Sequence, residues 1–156
     1  MTYRGLVSFL AVAFAACAST GGGTALYRRD VGMASRSDAV EIAVRVARQN
    51  NFEVASVDTA REVQIQTEWL KRPPFSDERS AGVADAESRL RVIARPRGET
   101  KIGTNYSVSV TVENRLRLDG SPSWSEALNT PMFTTYADRI SNELKQLFTN
   151  IGVRRY

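Results

Sequence analysis

The chain has 156 residues, with 21 Lys and Arg against 17 Asp and Glu for a net charge of +4, and it holds one cysteine and no histidine. That length is one modest domain. Without histidine there is no Ser-His-Asp or Cys-His relay, no imidazole metal ligand and no side chain that titrates near neutrality unperturbed, and a lone cysteine excludes intrachain disulfides and every multi-cysteine metal pattern.

Arg4 precedes an apolar run from Gly5 to Ala16, broken only by Ser8, and Cys17 stands at its end. About a dozen apolar residues are too few to cross a bilayer core of roughly 30 Å, which takes about 20. A positive charge, a short apolar core and small residues before a cut site describe a secretory signal peptide. The four residues Phe14-Ala15-Ala16-Cys17 resemble the lipobox of bacterial lipoproteins, in which small residues precede a cysteine that becomes the lipidated first residue; Phe14 stands where that family usually carries an aliphatic residue. The resemblance implies a leader over residues 1–16, a lipid on Cys17 and a membrane partner reached through it. Because Ala18 follows the cysteine where Asp would mark retention in the inner membrane, it also implies the periplasmic face of the outer membrane, with the inner membrane as the alternative. The alternative is an ordinary signal peptide cut near Ala16. Ala18 to Thr24 is a Gly/Ser/Thr stretch that suits a flexible tether, and residues 17–34 are expected to link the anchor to one domain over 35–156. Removing 16 of 156 residues leaves 140, and losing Arg4 takes the charge from +4 to +3. A body of that size buries enough surface to fold without cross-links.

The first element is a helix over Ala39 to Asn50, with an apolar stripe of Val40, Ala43, Val44 and Ala47, capped by Asp38 or Ser37 and with Glu41 in the capping-box position. Its β-branched residues make it intrinsically weak, so packing has to hold it. Two runs of period two follow. Phe52 to Val57 leads through a turn at Asp58 to Arg61 into Val63, Ile65, Thr67 and Trp69, which alternate with Glu62, Gln64, Gln66 and Glu68. That pattern predicts a hairpin with one dry face. Lys71 to Asp85 loses periodicity and is expected to be the longest loop, a place where function concentrates.

A third strand is expected over Ser88 to Arg95 and a fourth over Tyr106 to Leu118, whose apolar face only Asn114 interrupts; Asp119-Gly120-Ser121-Pro122 supplies the turn after it. Thr130-Pro131 then opens a helix to about Ile151, stopped by Gly152, with Phe133, Tyr136, Ala137, Ile140, Leu144, Leu147, Phe148 and Ile151 on one face. Helix, four strands and helix predict an α+β two-layer sandwich, an antiparallel meander with both helices on its apolar face.

No catalytic set, metal site or cofactor is expected. The serines form neither a Gly-x-Ser-x-Gly elbow nor a Ser-x-x-Lys motif. The acidic pairs Asp77 with Glu78 and Asp85 with Glu87 match no calcium loop and are expected to be solvated surface charge. The unusual feature is arginine, 18 of the 21 basic residues. Arg89, Arg91 and Arg95 share a parity on the third strand, as Arg115 and Arg117 do on the fourth, so pairing these strands gathers them on the face away from the helices. Arginine's planar fork suits phosphate and carboxylate, which makes this face a candidate site for an anionic lipid or an acidic partner protein. The competing reading gives the arginines cross-strand partners in Glu113, Glu62 and Glu68. Phe75 and Trp124 are the candidate contact residues of exposed loops, or staples that pack those loops onto the body. Nucleic acid is not expected as a partner, because a surplus of three charges is weak for a polyanion specialist.

A helix, a meander and a long C-terminal helix behind a lipidated cysteine resemble, in architecture alone, accessory lipoproteins of outer-membrane assembly of the BamC and LptE types. The expectation is a non-enzymatic envelope lipoprotein that works by binding. A carboxylate-dependent hydrolase is the alternative, and a structural subunit of a larger envelope complex, contacted through Lys71 to Asp85, is a third reading.

Overall fold

The computed structural model describes residues 26–100, 103–126 and 129–154. The leader, Cys17 and the first part of the expected tether lie outside them. Along the chain run β1 (Tyr27–Ala34), α1 (Arg36–Gln49), β2 (Val54–Asp58), β3 (Val63–Thr67), β4 (Leu70–Arg72), α2 (Ser76–Ser80), β5 (Val83–Thr100), β6 (Gly103–Leu118), β7 (Ser125–Glu126) and α3 (Pro131–Arg154). The strands form one antiparallel sheet in the order β1-β6-β5-β3-β2, with β4 on β5 beside β3 and β7 on β6 beside β1. The fold is α+β, as expected; β2, β3, β5 and β6 correspond to the four strands of the expected meander, and β1, β4, β7 and α2 are additional to the four strands and two helices expected.

The hairpin of β5 and β6 is its spine. At about 3.3 Å per residue, the 16 residues of β6 reach roughly 50 Å, beyond what two helices can cover. Even-numbered residues of both strands face the helices. Leu90, Val92, Ala94, Tyr106, Val108, Val110 and Val112 form the main core with Ala39, Ile42, Ala43, Val46 and Ala47 of α1 and with Phe133, Ala137, Ile140, Leu144 and Phe148 of α3. Full burial of a large apolar side chain is worth about 1.5–3 kcal/mol, so α3, which buries four of them, Phe133, Ile140, Leu144 and Phe148, is held as its sequence implies. Thr130 caps it, its Oγ1 accepting from the Phe133 N–H at 3.2 Å, and the helix continues past Gly152 to Arg154.

α1 departs from its expected form in two ways. It begins three residues earlier, at Arg36, and its cap is Ser35, whose Oγ accepts from the Asp38 N–H at 3.2 Å. Asp38 is therefore inside the first turn, where its charge complements the helix N-terminus. The buried stripe is centred on Ile42 and Val46, and Val40 and Val44 lie at its margin.

β1 falls within the segment expected to be a tether. Tyr27, Val31 and Ala34 are buried while the residues between them are exposed, a spacing of four and three that imitates a helix. The cause is a bulge: the register with β6 shifts between Asp30 and Gly32, so Val31 is an extra residue turned into the core. Asp138 of α3 fastens the strand from the helix side, accepting from the Tyr27 hydroxyl at 2.5 Å and pairing with Arg29 at 3.0 Å.

The segment Lys71 to Asp85, expected to be a loop, holds the end of β4, α2 and the start of β5. The expected third strand therefore begins at Val83 and not at Ser88. The second strand ends at Thr67, and the break at Glu68 and Trp69 moves Trp69 off the dry face, where it was expected, to the opposite side of the sheet. β4, α2 and β7 are two to five residues long, too short to show a period. No helix of the described residues is long and apolar enough to cross a membrane.

Candidate functional site

The sheet face away from the helices carries the arginines of β5 and β6 together. In the register, Asp85 faces Arg117, Glu87 faces Arg115 and Arg89 faces Glu113 on three alternate rungs. Each rung is an ion pair: Arg117 Nε donates to Asp85 at 3.1 Å, Arg115 Nε to Glu87 at 2.6 Å and Arg89 Nε to Glu113 at 2.8 Å. Arg91 reaches diagonally to Glu113 at 3.2 Å, and Arg95 crosses to Glu62 at 2.9 Å. Of the carboxylates expected to pair with arginine, Glu113 and Glu62 do so, whereas Glu68 makes no ion pair among the described residues and Asp85 and Glu87 take the remaining places. The arginine hydrogen bonds hold the carboxyls of Asp85 and Glu62 below their ordinary range.

Two tryptophans are threaded into this ladder. The guanidinium of Arg89 lies 4.3 Å from the Trp69 ring centre and that of Arg115 4.2 Å from it; Arg115 is also 4.9 Å from Trp124, and Arg117 is 5.4 Å from Trp124. The row Arg89, Trp69, Arg115, Trp124, Arg117 crosses the face. Trp124 is half-buried against its own arginines, a staple that is also part of the surface. Sequence reasoning missed Trp69, because only the break after Thr67 turns it outward.

On the helix side, the even-numbered rungs beyond the main core carry Ser88 and Asn114 where apolar residues stand elsewhere. Both serve a buried network. Arg72 on β4 donates to Glu78 of α2 at 2.7 and 2.6 Å, to Asn114 Oδ1 at 2.8 Å and to Ser88 Oγ at 3.0 Å, while Asn114 Nδ2 donates to Glu78 at 3.1 Å. Glu78 also accepts from the Phe75 N–H at 2.8 Å, which starts α2. Burial alone would raise the Glu78 carboxyl, but the hydrogen bonds from Arg72, Phe75 and Asn114 outweigh it and hold it low. Glu78 was expected to be solvated and is fully buried. The signal was Asn114, the one polar interruption of an apolar strand face. Phe75 covers the network, with the Arg72 guanidinium 4.0 Å from its ring centre and the Tyr136 ring 5.7 Å away; it is a staple as well as a surface residue.

Asp77 is bound too, accepting from the Met132 N–H at the start of α3 at 3.0 Å. Among the described residues, no group of three or more His, Cys, Asp or Glu converges as a metal site requires. No protein-family model matches the chain, and no curated protein matches it closely enough to be a relative.

Proposed function

We propose that this chain is a lipoprotein of the bacterial envelope, anchored through Cys17 at the periplasmic face of the outer membrane, that acts as a non-enzymatic binding module docking on an envelope protein through its open sheet face. The anchor rests on the Phe14-Ala15-Ala16-Cys17 segment. The docking rests on the row of alternating Arg and Trp across a face that no helix of the described residues covers. Trp and Arg are the residue types that most often carry interface energy. The interleaved carboxylates give that face both signs of charge, which favours a protein of complementary pattern over a uniformly anionic lipid surface. The hydrolase reading draws less support, because Glu78, Asp85 and Glu87 are each committed to an arginine.

The test is crosslinking in native membranes with fatty-acid labelling. Wild type is expected to carry label and to crosslink a discrete partner. Cys17→Ser is expected to lose the label and stay unprocessed, and Arg89→Gln/Arg91→Gln/Arg117→Gln to keep the label and lose the partner. A Cys17→Ser protein processed and membrane-bound like wild type overturns the anchor; a triple variant that crosslinks unchanged overturns the docking face.

A further inference from the structure

A second surface, on the helix side of the sheet, has chemistry of its own. A cleft of about 640 Å³ opens where the end of α1, β4, the Pro73-Pro74 turn, α2 and the first turns of α3 come together. That volume lies within the range that holds small ligands. Among the described residues, four cationic side chains line it, Lys71, Arg72, Arg79 and Arg139, and no Asp or Glu does.

The four are not equivalent. Arg72 is spent on Glu78, and Lys71 pairs with Asp85 at 3.4 Å. Arg79 and Arg139 have no carboxylate within ion-pair distance among the described residues. Each is nevertheless held in place by a neutral acceptor: Arg79 Nη1 donates to the Pro74 carbonyl at 2.6 Å, and Arg139 Nη2 donates to Asn50 Oδ1 at 3.3 Å while lying 5.7 Å from the Tyr136 ring centre. A guanidinium has five N–H donors in a fixed fork, so one such bond orients it and leaves the rest free. This contrasts with the sheet face, where every arginine of β5 and β6 from Arg89 to Arg117, Arg97 apart, has its counter-charge built in. The cleft also has an aromatic wall, Phe75 beside Tyr136. Burial raises the Tyr136 phenol above its usual value despite the nearby arginines, which keeps its hydroxyl protonated, and that hydroxyl has no hydrogen-bond partner among the described residues.

We infer that this cleft binds a small anion, a phosphate or carboxylate group carried on an apolar or aromatic body, with Arg79 and Arg139 gripping the charge and the Phe75 and Tyr136 rings receiving the body. Paired guanidinium forks match the oxygens of either group. The inference is independent of the sheet-face reading and uses none of its residues. A free ester and a phospholipid head group present the same chemistry, and the test separates them.

Full-length protein in neutral detergent micelles is titrated by calorimetry with phenyl phosphate, with phenol, and with the short-chain dihexanoyl forms of phosphatidylglycerol and phosphatidylcholine. Phenyl phosphate is expected to bind at least tenfold more tightly than phenol, with loss of at least tenfold in Arg79→Gln/Arg139→Gln and little change in Arg79→Lys/Arg139→Lys. Arg91→Gln/Arg95→Gln, on the sheet face, is expected to bind as wild type. Dihexanoyl-phosphatidylglycerol binding at least tenfold more tightly than phenyl phosphate and than dihexanoyl-phosphatidylcholine, with that preference lost in the Gln double variant, assigns the head group as the source; no such preference assigns the soluble ester. Phenyl phosphate binding no tighter than phenol together with phosphatidylglycerol binding indifferent to Arg79 and Arg139 overturns the inference, as does a folded Gln double variant that binds phenyl phosphate like wild type.

Discussion

Arg72 and Glu78, six residues apart in the chain, meet inside the fold through two parallel hydrogen bonds, with side chains 8% and 0% exposed. A buried pair of this kind is weak evidence of net stability, but breaking it is costly, because the survivor is left as an uncompensated charge. Glu78→Gln and Arg72→Met are each expected to destabilise the domain by about 3–5 kcal/mol, a large part of the ~5–15 kcal/mol typical of a folded domain. The double change Arg72→Met/Glu78→Leu is expected to cost less than either single change. Urea unfolding of the four proteins checks both statements; a double variant as weak as the sum of the singles refutes the second.

The same pair sets a pH dependence. Glu78 is held below its ordinary value of 4.5 in the folded chain, so the unfolded state binds its proton first as the pH falls. The stability it contributes is complete above about 4.5 and drains away as the pH drops through the lower folded-state value. The urea midpoint of wild type is therefore expected to fall below pH 4.5, and the gap between wild type and Glu78→Gln to narrow over the same range. A gap that stays constant from pH 7 to pH 3 contradicts this assignment.

Gly32 has φ +136°, and a Cβ built there sits 3.4 Å from Phe148 Cβ. Gly32→Ala places a side chain in a conformation L residues rarely adopt, against a core residue of α3, at an expected cost of about 1–3 kcal/mol. Gly98→Ala meets open space and is expected to change stability by no more than about 0.5 kcal/mol. Thermal unfolding of the two variants side by side distinguishes a strained position from a merely small one.

Arg115 touches both tryptophans of the chain and Glu87. Arg115→Ala is expected to shift the tryptophan emission to longer wavelength and to destabilise by roughly 1–2 kcal/mol, the sum of two cation–π contacts and one cross-strand pair. Arg95→Ala, whose guanidinium meets neither ring, is expected to leave the spectrum unchanged. An unchanged spectrum in Arg115→Ala means the rings do not rest on that guanidinium.

What the sequence disclosed follows from how local each signal is. α3 was legible to its cap, and the alternation of β6 was legible almost to the residue, because both are long and amphipathic about one dry layer. The gathering of Arg89, Arg91, Arg95, Arg115 and Arg117 on one face followed from parity alone. Their partners did not, since which acid meets which arginine depends on the register of β5 against β6. β1 was hidden by its bulge, which gave Tyr27, Val31 and Ala34 a helix-like spacing. Glu78 read as solvent-exposed because nothing in Asp77-Glu78-Arg79 reports that Arg72, Ser88 and Asn114, drawn from three strands, close around it.

The fastening of β1 has a mechanical consequence. Among the described residues, the chain enters the sheet through this strand. A pull from that side reaches Tyr27 first, where the hydroxyl is tied to Asp138 of α3 while the backbone is paired with Val112 of β6. Arg29, two residues on, is tied to the same carboxylate. The load is thus divided between the sheet and α3 at its point of entry, ahead of the bulge at Gly32, which lies against Phe148 of the same helix.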